Sequence, residues 1–239
     1  MPITENAIRF LNENHRINDR EWFVAHREQY RELVEKPMLD IARALGPLIS
    51  DIDPAMETRP RRTLSRIWRD VRFSKDKSLF KKSVWITFHR EKGLSHPVYF
   101  FEFCGDFHRY GCGYYATPPV VMARIRQEVL AGGKLFRAAQ AAMGSLPGFG
   151  IEGECYKRPK YQNQPEELRE WLERRSVTAL YTSQNRSGLF AGNLPEVLAD
   201  AFIKLAPVYK FMTHCHVEAM KENEFRSFVK GSLSSASEL

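Results

Sequence analysis

Apolar residues recur at helical spacing through the first fifty positions, then give way to β-branched and aromatic runs in the middle of the chain. Thr4 precedes a short apolar stripe and predicts a capped helix over 5–12. Asn18 stands three residues before Glu21, the spacing of a capping box, and predicts a second helix over 19–35. On it Trp22, Phe23, His26, Tyr30, Leu33 and Val34 form one largely apolar face. Pro37 ends this helix or opens the next. That next helix carries Met38, Ile41, Leu45, Leu48 and Ile49, with a kink expected at Gly46-Pro47.

From here the pattern becomes strand-like. Residues 64–68 mix apolar and cationic side chains and read as a first strand. Residues 84–90, 97–103 and 110–116 are rich in β-formers, and Gly105-Asp106 marks a turn. These three runs predict an antiparallel meander, with Gly111 and Gly113 where the backbone bends or is approached closely. Thr117-Pro118-Pro119 reads as a hydroxyl cap followed by a helix-opening proline. The helix should run to about 130 with Val121, Met122, Ile125 and Val129 inward. A short helix is expected after Gly133, a strand near 151–156, a charged helix over 165–174 and a strand over 177–181. Two amphipathic helices, 195–205 and 207–221, follow. Half of residues 230–239 are serine or glycine, which predicts a flexible tail. The fold class read from this order is α+β: a central antiparallel sheet covered by N-terminal and C-terminal helices, in one domain over 1–229.

Charge changes this picture at one place. Ten of the residues in 59–82 are basic and two are acidic, a net +8, whereas the whole chain carries +7. Residues 1–58 sum to −4 and 83–239 to +3. The high pI therefore comes from one segment, so a local anion pocket explains it as well as a broad basic face does. The first residues contain no apolar core of a secretory signal, and no apolar run is long enough to span a membrane. Four cysteines without a C-x-x-C pair predict free, buried thiols in a reducing cytoplasm and no structural zinc.

Candidate chemistry follows the charge. In the run 69–81, Ser74 and Ser78 flank Lys75 and Lys77, and hydroxyls, ammonium groups and loop amides together suit a phosphate or carboxylate. The glycines of a nucleotide-binding P-loop are missing. Asp70 and Asp76, set among cations, should stay ionised; that makes them poor bases and suits them to orienting arginines. His214-Cys-His216 would place its two imidazoles on different faces of a helix, and His89, His96 and His108 lie around the strands; no metal site is expected. No G-x-S-x-G elbow occurs, and Cys112, between two glycines, is the one thiol in a permissive backbone. The aromatics Tyr99, Phe100, Phe101, Phe103, Phe107, Tyr110, Tyr114 and Tyr115 are divided between core packing and surfaces that stack on bases.

The same run, R-D-x-R-F-S-K-D-K-S-x-F-K over 69–81, resembles the signature of an uncharacterised family, domain of unknown function 2461. Phe10-Leu11 with Arg20-Glu-Trp-Phe23, Tyr114-Tyr115 with Ile125-Arg126, and Lys157-Arg158-Pro159 match further elements of that family in order, over residues 8–212. The family usually carries Pro-Tyr where this chain has Leu79-Phe80, so Phe80 supplies no hydroxyl. The resemblance implies a fold but no mechanism.

The leading expectation is a phosphorylated or otherwise anionic small molecule held by Arg66, Arg69, Arg72, Ser74, Lys75, Lys77, Ser78 and Lys81. Lys157 and Arg158 would close the site from another loop, and Asp70 and Asp76 would orient it. The alternative is a nucleic-acid-binding module built on the same cations with exposed aromatics, and a third is recognition of an acidic protein segment. No cofactor is expected. Catalysis and oligomeric state stay open.

Overall fold

A computed structural model describes residues 2–72, 75–90 and 96–236, with side chains to Phe225. Its contacts divide into two compact units. The first is Met1–Glu91, Val98–Gly111 and Leu180–Lys204; the second is Lys92–Pro97, Cys112–Ala179 and Leu205–Leu239.

The first unit begins with α1 (Glu5–Ile17), α2 (Arg20–Ala25) and α3 (Arg27–Tyr30). A π-helical turn (Arg31–Glu35) then leads directly into α4 (Lys36–Ile52). Thr4 caps α1 as expected, accepting from the Ala7 amide. The junction that follows differs from the capping box. Asn18 takes a left-handed conformation, φ 53°, and terminates α1, while Asp19 caps α2 by accepting from the Trp22 amide at 2.7 Å. An asparagine tolerates that conformation and the aspartate beside it supplies the cap, so the two neighbours divide the work. α4 runs unbroken through Gly46-Pro47 and packs on β1 (Val84–Phe88). After α5 (Pro60–Thr63), residues 64–68 form isolated bridges, Leu64 with Ile86 and Trp68 with Phe80, instead of the expected strand.

β1 pairs antiparallel with β2 (Val98–Phe103) in the register Val84↔Phe103, Ile86↔Phe101 and Phe88↔Tyr99. Val84, Ile86 and Phe88 alternate inward, as the period of two requires. β3 (His108–Gly113) follows the turn at Gly105-Asp106, and the meander is as predicted. With β4 (Phe149–Glu152) and β5 (Thr178–Ser183) the antiparallel sheet has the order β1-β2-β3-β5-β4, in an α+β architecture. Tyr99 on β2 meets Phe202 of the last helix at 4.9 Å between rings.

The second unit contains α6 (Pro119–Ala131), α7 (Lys134–Gly144) and α8 (Glu166–Leu172). Val121, Met122, Ile125 and Val129 point inward as expected. Thr117 does not cap α6. Its hydroxyl meets Ser176 Oγ at 3.0 Å and accepts from the Val177 amide, tying the loop to β5. Gly113, at φ 153°, lets the backbone approach Thr178: an added Cβ would stand 2.5 Å from the Thr178 Cα. A four-residue α9 (Ser187–Phe190) of the first unit precedes α10 (Leu194–Ala236), one helix where two were expected. Pro207 lies inside it. A proline there costs about 3 kcal/mol, but Phe202, Leu205, Val208, Phe211 and Met212 are fully buried around it. Each such side chain contributes roughly 1.5–3 kcal/mol, so packing outweighs the proline. α10 continues into the 230–239 segment; 237–239 lie outside the described residues.

Candidate functional site

The cations of 59–82 fall into two groups. Arg59 and Arg62 converge on Glu57, whose side chain is buried; Arg59 Nε donates to it at 2.7 Å. Those hydrogen bonds hold the Glu57 carboxyl down at about 2. Arg61 reaches Glu35 at 3.6 Å. These cations anchor α5.

The rest belong to a hairpin-like excursion. Arg69 N donates to Leu79 O, Lys81 N to Ile67 O and Ser65 N to Trp85 O, at 2.9, 2.9 and 2.8 Å. Ile67 and Phe80 anchor it in the core, with Phe80 ringed by Phe23 at 4.9 Å and Trp68 at 4.5 Å. The end of α1 grips the same stretch. Asn18 Oδ1 accepts from the Leu79 amide at 2.7 Å, and His15 Nδ1 donates to the Phe80 carbonyl at 3.3 Å. His15 and Asn18 are site neighbours that the sequence reading missed; only their proximity in the fold reveals them.

Within the turn, Asp70 holds Arg72 through Nε at 3.0 Å and Nη2 at 2.6 Å, and this pairing lowers its carboxyl to about 2. Asp76 accepts from the Ser78 amide at 2.9 Å and forms an ion pair with Arg69 Nη1 at 2.9 Å. Its pKa is lowered, first by the Ser78 bonds and then by the charges of Arg69 and His15. Lys77 donates to the Val71 carbonyl at 2.9 Å, Ser78 Oγ to the Phe80 carbonyl at 3.4 Å, and Lys75 is exposed. Ser74 lies outside the described residues.

Lys81 occupies a different environment. Its ammonium donates to the Arg66 carbonyl at 2.7 Å and stands 4.2 Å above the Trp85 ring. Burial lowers its pKa first, and the charges of Arg69 and Arg66 lower it further. Among the described residues no carboxylate is bonded to it. Arg69 Nε is buried and also lacks a partner there. The turn therefore pairs Arg72 with Asp70 and Arg69 with Asp76, and leaves Lys81, without a bonded carboxylate, subject to the charges of Arg66 and Arg69. Lys157 and Arg158 are exposed in the second unit.

The other candidates separate from this cluster. Cys112 is fully buried, and burial pushes its thiol well up, which disfavours the thiolate that a nucleophile requires. Cys104, Cys112 and Cys215 are buried free thiols; Cys155, expected to be buried, is exposed because it lies in the loop after β4. Among the described residues no three His, Cys, Asp or Glu side chains gather as a metal site. The His96 and His216 rings lie 3.9 Å apart in the second unit. Tyr99, Phe101, Phe103, Tyr110 and Tyr114 are core residues, whereas Tyr115, in the bend after β3, is 89% exposed. No helix among the described residues is long and apolar enough to cross a membrane.

Fold and segment together define an α+β protein with a cation-rich hairpin tied to the end of its first helix. The family of conserved hypothetical proteins DUF2461 matches residues 6–211, and the chain belongs to it. No curated protein matches the sequence.

Proposed function

We propose that the cation-rich hairpin binds a phosphorylated or similar oxyanionic small molecule, centred on Arg66, Arg69 and Lys81. The observation that carries this reading is Lys81: a partly buried ammonium supported by an indole face and a carbonyl, and acted on by the charges of Arg66 and Arg69. A π face stabilises a cation without cancelling its charge. The repulsion among the three is offset once an anion sits between them. Ser78, Lys75 and Lys77 lie nearby in the chain, and Arg72, already gripped by Asp70, belongs at the rim. The small-anion reading is preferred to nucleic acid for this segment because most of the aromatics that would stack on bases, Tyr99, Phe101, Phe103, Tyr110 and Tyr114, are in the core.

Thermal shift with inorganic phosphate, sulfate, nucleotides and sugar phosphates tests it, since a ligand raises apparent stability by mass action. Lys81→Met should cost about 1.5–3 kcal/mol of anion affinity while leaving the unliganded protein no less stable. The pH dependence has a definite sign. Lys81 gives up its proton below the ordinary 10.5, so affinity falls on the alkaline side before that value is reached. Lys81→Arg should retain binding and remove this alkaline loss. Marked destabilisation by Lys81→Met, with no anion stabilising the wild type, would make the cluster purely structural.

A further inference from the structure

The second unit repeats, on other residues, the device of a cation held by an aromatic face. Arg126 stands 5.0 Å and Lys160 4.1 Å from the centre of the Tyr156 ring. Arg126 is fixed in place, donating to the carbonyls of Leu172 and Arg174 at 3.1 and 2.6 Å where α8 ends. The loop that bears Tyr156 is fixed as well. Tyr156 N donates to Glu173 O at 2.9 Å, Cys155 bridges to Arg174, and the Glu173 carboxylate accepts from the amides of Lys160 and Tyr161 at 2.8 and 2.5 Å. Those amides occupy the carboxylate of Glu173, and Glu154 is paired with Arg175 at 2.8 Å. Lys157, Arg158 and Lys160 are thus presented on a pinned loop, all exposed, with no carboxylate bonded to their side chains among the described residues. The stretch 152–175 as a whole carries six basic and six acidic side chains, but 157–160 itself carries three cations and no carboxylate.

We propose that this loop is a docking edge for the phosphate backbone of nucleic acid. Three physical points select that partner. First, the cations are spread along the chain. Residues 157–160 offer three separate charged side chains within four positions, which suits phosphates that repeat every few ångströms along a strand. Second, the Tyr156 ring is occupied by cations and is not offered to bases, so recognition is of the backbone and independent of sequence. Third, the exposed large apolar side chains of this unit among the described residues, Tyr115, Val120, Leu130, Leu135 and Phe225, lie outside this loop. A loop without an apolar anchor suits a phosphate backbone better than a bilayer surface, where apolar burial adds to the attraction of the headgroups.

The test uses the full chain and fluorescence anisotropy with a labelled 20-base-pair duplex of mixed sequence, measured across salt concentrations. The variant is K157A/R158A/K160A, with circular dichroism as a fold control, because all three side chains are exposed. Loss of three phosphate contacts should flatten the log–log salt slope by about 2.7, at about 0.9 per contact, and weaken binding at least tenfold at low salt. R158K should retain most of the affinity, since a backbone phosphate needs the charge more than the fork. An unchanged slope in the triple variant would overturn the proposal. So would stronger binding to phosphatidylserine vesicles than to duplex at equal phosphate, which would make the edge a membrane contact. Stabilisation by inorganic phosphate is the third readout. It should be the same in the variant and the wild type, because the small-anion cluster is built from Arg66, Arg69 and Lys81; its loss would return Lys157 and Arg158 to that site and overturn the docking edge.

Discussion

Glu57 shows how a single buried carboxylate organises a cationic stretch. It accepts from the Arg59 backbone at 2.9 Å and from the Arg59 side chain, and Arg62 reaches it at 3.6 Å. Replacing it with glutamine leaves two guanidinium groups beside a neutral amide, and the expected loss is about 1.5–3 kcal/mol by urea unfolding at pH 7. The pH dependence follows from the lowered carboxyl. Its folded value of about 2 lies below the ordinary 4.5, so its contribution is fully present above 4.5 and is lost as pH falls toward 2. The stability gap between wild type and Glu57→Gln should therefore narrow across that window; a gap independent of pH would assign the effect to packing. The thiols give a second check at this scale. Ellman titration of the native protein should find one fast group, Cys155, and four after denaturation. Fewer than four would reveal a disulfide.

At the scale of elements, the junction between α1 and α2 positions the candidate site. Asn18 serves twice: its left-handed backbone ends α1, and its side chain holds the Leu79 amide of the hairpin. Asn18→Ala should lose both, roughly 1–2 kcal/mol for a left-handed non-glycine residue and about 1 kcal/mol for the hydrogen bond. Asn18→Gly should restore the backbone share only. Chemical denaturation of the pair separates the two, and equal losses would show that the conformation carries no cost here. The strands and most helices were legible in the sequence because period and composition are local properties. Two features were not legible, and both depend on what the chain meets elsewhere. Residues 64–68 look like a strand, yet pair only at Leu64 and Trp68, because their neighbours Phe80 and Ile86 belong to different stretches of the chain. Pro207 looks like a helix start, yet sits inside α10, because the buried residues around it outweigh the lost hydrogen bond.

For the whole molecule we propose one cooperative domain over 1–229 with a dispensable end. β3, β5 and α10 each contribute residues to both compact units, so neither unit owns a complete set of elements. Calorimetry should show one unfolding transition whose van't Hoff and calorimetric enthalpies agree, and two resolved transitions would split the domain. Deleting residues 230–239, half of which are serine or glycine, should leave Tm within about 2 °C, since under roughly 0.5 kcal/mol is expected from a segment of this composition. The sequence by itself determined the order of elements, the α+β class, the family and the concentration of positive charge in 59–82, because each is a property of neighbours along the chain. Only the tertiary structure decided how that charge is divided. Glu57, Asp70 and Asp76 neutralise particular arginines, while Trp85 supports Lys81 without neutralising it. The reason is physical: a charge count is additive along a sequence, but the free energy of each cation depends on the group folded within a few ångströms of it.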